Sequence, residues 1–195
     1  MSNKKTLQVV IADDEAVIRM GLKSMIQALG YEVIGTASNG EDAIEKTMSL
    51  KPDLLLLDIK MPKKDGLEVA ETLANEYPLP IIMLTAYTEK SMIERAANAA
   101  VIGYLVKPIQ ESKLKAIIEV SLARFETYQT VAKEAKQLRD QLETRELIDQ
   151  AKSILIQTGR SEVEAYQQIQ MTARKNRRTM RQVAEAVIMV QQRSS

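Results

Sequence analysis

Over residues 1–121, short apolar runs alternate with amphipathic stretches: Leu7–Ala12, Glu32–Thr36, Asp53–Leu57, Pro80–Leu84 and Gly103–Val106. Leu54-Leu-Leu-Leu57 and Ile81-Ile-Met-Leu84 hold no polar position at all, the pattern of strands buried on both faces. Between the runs lie helical patterns: Ala16–Leu29 closed by Gly30, Glu41–Leu50 stopped by Pro52, Leu67–Glu76 stopped by Pro78, and Ser91–Ala100. Strict β-α order with crossovers of this length predicts an α/β domain, a doubly wound five-stranded parallel sheet. Its site is expected at the carboxyl ends of the strands.

From about Ser112 the pattern turns helical, and neither Pro nor Gly interrupts it between Pro108 and Gly159. Tyr128, Val131, Ala135, Leu138 and Leu142 recur at alternating steps of three and four, as coiled-coil seam positions do. Two readings are open: a face for a second copy, making a homodimer, or a stripe packed on its own domain. Gly159 ends this helix, and Ser161-Glu-Val-Glu164 has the form of a capping box. Val163, Tyr166, Ile169 and Ala173 follow as an apolar stripe. A second box, Thr179-Met-Arg-Gln182, precedes Val183, Ala184, Val187 and Val190. Three helices sharing one small core are expected, since none would be stable alone.

Composition narrows the chemistry. With 45% hydrophobic and 27% charged residues the chain has globular composition. No apolar run nears the roughly 20 residues that span a bilayer, and the N-terminal run is too short for a signal peptide. A cytoplasmic protein without a membrane partner is expected. The chain has no Cys and no His, which excludes disulfides, thiolate metal sites and every triad built on histidine. One Phe and no Trp leave few stacking platforms for single-stranded nucleic acid. Residues 1–121 carry 14 Lys/Arg against 17 Asp/Glu, a net −3, and residues 122–195 carry 13 against 9, a net +4. Opposite signs point to different partners for the two parts.

Asp13 and Asp14 end the first strand, Asp58 the third and Thr85 the fourth, while Lys107 follows the fifth. Taken singly, an Asp pair is more often a helix cap and a Lys-Pro a turn. Jointly they meet at one sheet edge. Three converging carboxylates repel one another unless a cation intervenes, and an all-oxygen set suits Mg²⁺. With Lys107 as a mobile positive charge and Thr85 as a hydroxyl donor, the set suits acceptance of a phosphoryl group by a carboxylate.

These residues also carry a resemblance. Val10-Ile-Ala-Asp-Asp-Glu15, Leu55-Leu-Leu-Asp-Ile-Lys-Met-Pro62 with Asp65-Gly66, Leu84-Thr-Ala86 and Gly103-Tyr-Leu-Val-Lys-Pro108 resemble the motifs of the two-component receiver domain over residues 5–121. The resemblance implies that Asp58 is the phosphoacceptor and that Asp14, Asp58 and the Lys60 backbone carbonyl bind Mg²⁺. Asp13 acts on the metal through a water, and Lys107 pairs with the phosphoryl group. It implies a switch in which the Thr85 hydroxyl moves to the phosphate and the Tyr104 ring turns inward. The chain departs at Ala99-Ala-Val101, where the family often has glycine. A sensor histidine kinase would supply the phosphate from its own phosphohistidine, so the missing histidine fits. The chain itself is then a regulator, not an enzyme, apart from taking and slowly hydrolysing its own aspartyl phosphate.

In the C-terminal part, Arg174-Lys-Asn-Arg-Arg-Thr-Met-Arg181 holds five positive residues in eight. Alone it reads as a solvated loop. Beside an acidic first domain it reads as a polyanion face, which Arg145 and Lys152, seven apart on the long helix, would extend. A DNA-binding helix-turn-helix is the rival, but a long basic turn without Gly fits it poorly. An adaptor that binds a protein partner is a second rival. Leu142-Glu-Thr-Arg-Glu-Leu-Ile-Asp-Gln-Ala-Lys-Ser-Ile-Leu-Ile156, Ser161–Tyr166, Ala173–Arg178 and Val183–Ala186 are similar to the ANTAR family of transcription antiterminators. That resemblance implies a helical domain over 135–190, after a helical linker over 122–141, that binds hairpin RNA and blocks terminator formation. Arg145, Lys152, Arg174, Lys175, Arg177 and Arg178 are its expected RNA contacts. Ser153 and Gln170 depart from the family, which often has Gly and Arg there.

Overall fold

The computed structural model describes residues 6–86 and 101–194. The chain divides after Tyr128 into two compact units. In the first, β1 (Gln8–Ala12), β2 (Glu32–Ala37), β3 (Leu54–Asp58), β4 (Ile81–Thr85) and β5 (Val101–Val106) form one sheet in the order β2-β1-β3-β4-β5. All four pairings are parallel. The connections include α1 (Ala16–Ala28), α2 (Gly40–Leu50) and α3 (Gly66–Glu76). The helix expected over Ser91–Ala100, with the departure at Ala99, lies outside the described residues.

Period-two alternation distributes the strand residues between two cores. Val10, Ala12, Leu55, Leu57, Ile81 and Met83 pack with Val69, Ala70 and Leu73 of α3. Val9, Ile11, Leu54, Leu56, Ile82 and Leu84 pack on the other face with Leu22 and Ile26 of α1. Burying each of the Val, Leu, Ile and Met side chains among these contributes about 1.5–3 kcal/mol. The doubly wound five-stranded sheet is therefore as the apolar runs require.

Asp58 is the last residue of β3, as its place in the sequence predicts, whereas Asp13 and Asp14 lie just beyond β1, which ends at Ala12. Strand β5 begins two residues before Gly103. Within β5, a Cβ at Gly103 would lie 2.7 Å from Ser121 Oγ and 3.0 Å from Ile117, so its lack of a side chain lets the following helix pack close.

That helix, α4 (Glu111–Gln157), runs 47 residues. Leu114, Ile118, Ser121 and Phe125 are buried in the first unit. Tyr128 (63% exposed), Val131 (58%), Leu138 (63%) and Leu142 (57%) then face solvent. The seam does not pack on its own domain.

The second unit comprises the end of α4 with α5 (Glu162–Lys175) and α6 (Met180–Ser194). Both capping boxes form. Ser161 N–H donates to Glu164 Oε2 at 2.8 Å, and Thr179 N–H to Gln182 Oε1 at 3.1 Å. The core is Ala151, Leu155, Ala165, Ile169, Ala173, Val183 and Ala184. The stripe expected on α5 is not buried as a whole, because Val163 (66% exposed) and Tyr166 (44%) face outward. Alanines at 165 and 173 flank Ile169 because a small core admits helix backbones only at close range.

Candidate functional site

At the carboxyl edge of the sheet, Asp13 is held from four sides. Its N–H donates to the Ala37 carbonyl at 3.1 Å, and its Oδ1 accepts the Glu15 N–H at 2.9 Å. Its Oδ2 meets Lys107 Nζ at 2.8 Å, an ion pair without hydrogen-bond alignment. Its carbonyl accepts from Arg19 Nη1 at 2.7 Å, and the same nitrogen donates to the Asp14 carbonyl at 3.0 Å. Arg19 is invisible to motif reading, because its partners are backbone oxygens that every residue carries. Its place one helical turn past Glu15 is the only available signal.

Asp58 is buried. Its Oδ1 lies 2.6 Å from Lys107 Nζ and its Oδ2 accepts the Lys60 N–H at 3.0 Å. Lys107 thus stands between the two buried carboxylates, and its own N–H is anchored on the Thr85 carbonyl at 2.9 Å. Gly66 makes room beneath: a Cβ there would lie 2.2 Å from the Asp58 carbonyl oxygen. The Thr85 hydroxyl donates to the Ala86 carbonyl at 3.0 Å. Tyr104 is half-buried and packs against the core that holds Leu57 and Met83.

Electrostatics follow from depth. Burial pushes the Asp58 carboxyl above the ordinary carboxylate range, against the pull of the Lys107 hydrogen bond and charge, and with the Asp13 charge adding to the rise. Burial works against the Lys107 ammonium too, but the Asp13 and Asp58 carboxylates beside it outweigh that and hold it above the ordinary lysine value. Burial also raises the Tyr104 phenol.

Carboxylate oxygens of Asp13, Asp14 and Glu15 lie within 4.8 Å of one another. Glu15 was not foreseen in this group. The donors are hard oxygens, Asp13 Oδ2 lacks an aligned hydrogen bond, and Asp14 and Glu15 are exposed. Such a set fits a divalent ion of the magnesium kind, which keeps several waters and takes few carboxylates.

Residues 9–119 match the response regulator receiver domain, and residues 136–188 match the ANTAR domain. The chain belongs to the receiver–ANTAR response regulators. Transcriptional regulatory protein PdtaR of Mycobacterium tuberculosis is 41% identical over 182 residues, which cover 93% of this chain and 89% of that protein. Chemotaxis protein CheY of Thermotoga maritima is 39% identical over 108 residues, 55% of this chain and 90% of the other. Among solved structures, the signal receiver domain of a modulated diguanylate cyclase from Desulfovibrio desulfuricans superposes with a TM-score of 0.59 at 32% identity, covering 64% of this chain and 99% of that one. This response regulator is therefore a regulator rather than an enzyme. No helix among its described residues is long and apolar enough to cross a membrane.

In the ANTAR domain of the response regulator, the basic turn divides in two. Arg174, Lys175, Arg177 and Arg178 are exposed. Among the described residues none of these four makes an ion pair, whereas Arg181 pairs with Glu185 at 3.0 Å and Glu143 at 3.4 Å. Arg177 has φ +52°, so the left-handed residue that closes this Gly-free turn is an arginine. Arg145 is exposed, 4.0 Å from Asp149. Lys152 is engaged at 2.9 Å by both Asp149 and Glu162, so its charge is already compensated.

Proposed function

We propose that this response regulator takes a phosphoryl group on Asp58 from the phosphohistidine of a sensor histidine kinase, and in that state binds hairpins in nascent RNA to promote antitermination. One observation carries the first half: a single ammonium, Lys107, sits 2.8 Å and 2.6 Å from two buried carboxylates. An Asp58 oxygen attacks phosphorus, the phosphorus–nitrogen bond of the donor breaks, and the imidazole leaves with that electron pair. Charge then grows on the phosphoryl oxygens beside Lys107, where a fixed cation acts most strongly. Asp13, Asp14, Asp58 and the Lys60 carbonyl would hold Mg²⁺, which neutralises phosphoryl charge when bound. The Thr85 hydroxyl exchanges the Ala86 carbonyl for a phosphoryl oxygen, and the Tyr104 ring follows inward, a local bistable change.

For the second half, the ANTAR match and the four cations without ion pairs support RNA binding. Arg145 lies on the same domain as a weaker candidate, and Lys152 enters only if RNA displaces its carboxylates. The exposed seam Tyr128, Val131, Ala135, Leu138 and Leu142 supports a homodimer formed on activation. Nascent RNA places the protein in the cytoplasm.

The test is a gel shift and a sizing run on the full chain, with and without beryllofluoride, at fixed salt. Tighter hairpin binding and a doubled mass with beryllofluoride are expected. Preference for duplex DNA over hairpin RNA would replace this reading with a DNA-binding regulator, and binding to neither with a protein adaptor.

A further inference from the structure

On the RNA-binding reading above, the ANTAR domain meets a hairpin loop with almost no aromatic rings. Between residues 129 and 195 the sequence has one aromatic residue, Tyr166, and it does not line the cleft described next. The domain therefore lacks the stacking platforms on which single-stranded binders rely.

What it has is an open cleft of about 690 Å³ among the ends of α4, α5 and α6. Leu155 and Val183 form its apolar side, with Val187 and Val190 further out along α6. Asn176, Arg178 and Gln182 form its polar side. Among the described residues, the Asn176 amide and the Arg178 guanidinium make no hydrogen bond or ion pair. The Gln182 Oε1 is held by the Thr179 N–H at 3.1 Å, which steadies the amide and leaves Nε2 as a donor. Arg178 belongs to the basic turn itself, so the apolar wall continues directly into the charges of Arg174, Lys175 and Arg177.

We infer that this cleft receives one nucleobase splayed out of an RNA hairpin loop. The aliphatic side chains cover the ring faces, the donors of Arg178, Gln182 and Asn176 meet the edge, and the basic turn neutralises the flanking phosphates. This inference rests on the RNA-binding reading above. Charge complementarity selects the occupant: an apolar slot bordered by uncompensated cations suits a base attached to a polyanion better than an apolar peptide. A donor-rich border favours a base whose exposed edge is rich in acceptors.

Ala186 provides the test, because it lines the cleft yet is exposed, so a larger side chain fills the slot without entering the core. An RNA hairpin is selected on the beryllofluoride-treated full chain from a pool with a randomised loop. Versions are then made with a single abasic nucleotide at each loop position. The expectation is one loop position where base removal weakens binding by about tenfold. Ala186→Trp should weaken the intact hairpin by a similar factor and the hairpin abasic at that position hardly at all, and Ala186→Leu should do the same to a smaller degree. Arg177→Ala should weaken every hairpin alike and lower the salt dependence. Equal loss for intact and abasic hairpins with Ala186→Trp would overturn the cleft assignment while leaving RNA binding in place. So would unchanged RNA binding together with loss of self-association, which would make a protein surface the occupant. A pool that yields no hairpin bound above background overturns both the cleft and the RNA reading.

Discussion

The two units handle charge in opposite ways. In the receiver, Asp13 and Asp58 are buried and share one cation at 2.8 Å and 2.6 Å. In the ANTAR domain, Arg174, Lys175, Arg177 and Arg178 stand in solvent without carboxylate partners among the described residues. A buried set is all-or-none, because removing one member strands the others in a low dielectric. An exposed set is additive and screened by salt. Substitutions should therefore act steeply in one unit and gradually in the other.

The largest effect is expected from Lys107→Ala, which leaves two buried carboxylates facing each other. Phosphoryl uptake from a small phosphodonor should fall by about a hundredfold or more. Urea unfolding without magnesium should show a loss of about 3 kcal/mol. A loss below tenfold in uptake would remove the contrast between the units. Next comes the pair Arg177→Ala with Arg178→Ala, which should weaken hairpin binding and reduce the slope of log affinity against log salt by roughly one to two. Unfolding should shift by no more than about 0.5 kcal/mol, as exposed cations without partners require.

Arg19→Ala is expected to rank third. It frees the Asp13 and Asp14 carbonyls, so the loop loses its tie and magnesium should protect the chain less in thermal melts. Arg19→Lys should restore part of that protection, since one ammonium reaches one carbonyl. Equal magnesium protection in parent and Arg19→Ala would reduce Arg19 to a surface residue.

The smallest effects are in pH, and they have opposite signs in the two units. The Asp58 carboxyl is raised in the fold, so its favourable contribution is complete below the unfolded value of 3.8 and is lost as pH rises through the folded value. In magnesium-free buffer Asp58→Asn should then be more stable than the parent at neutral pH, and the gain should vanish on acidification. Glu164 is lowered by the backbone and side-chain hydrogen bonds of Ser161. Its contribution is present above 4.5 and is lost as pH falls through the depressed value. Urea unfolding of parent and Glu164→Gln across that range would show the gap between them closing.

How much of this was legible in the sequence follows from what each residue contacts. Asp13, Asp58, Thr85 and Lys107 could be brought together on paper because parallel strands carry their ends to one edge. Arg19 could not, because backbone carbonyls leave no trace in a motif. The reason for a glycine at 103 was not legible, since its close neighbours, here Ser121 and Ile117, are distant in sequence. Val163 and Tyr166 were misassigned to the core because apolar spacing on a short helix does not reveal that small alanines set the contact distance. The compensation of Lys152 by Asp149 and Glu162 joins two helices and needed their packing.

Whether Asp58 takes the phosphoryl group is tested by labelling. The parent and Asp58→Asn are incubated with a radiolabelled small phosphodonor and magnesium, and label on the protein is counted. Stoichiometric, acid-stable but base-labile label is expected on the parent and none on Asp58→Asn. Equal label on both would contradict phosphorylation at Asp58.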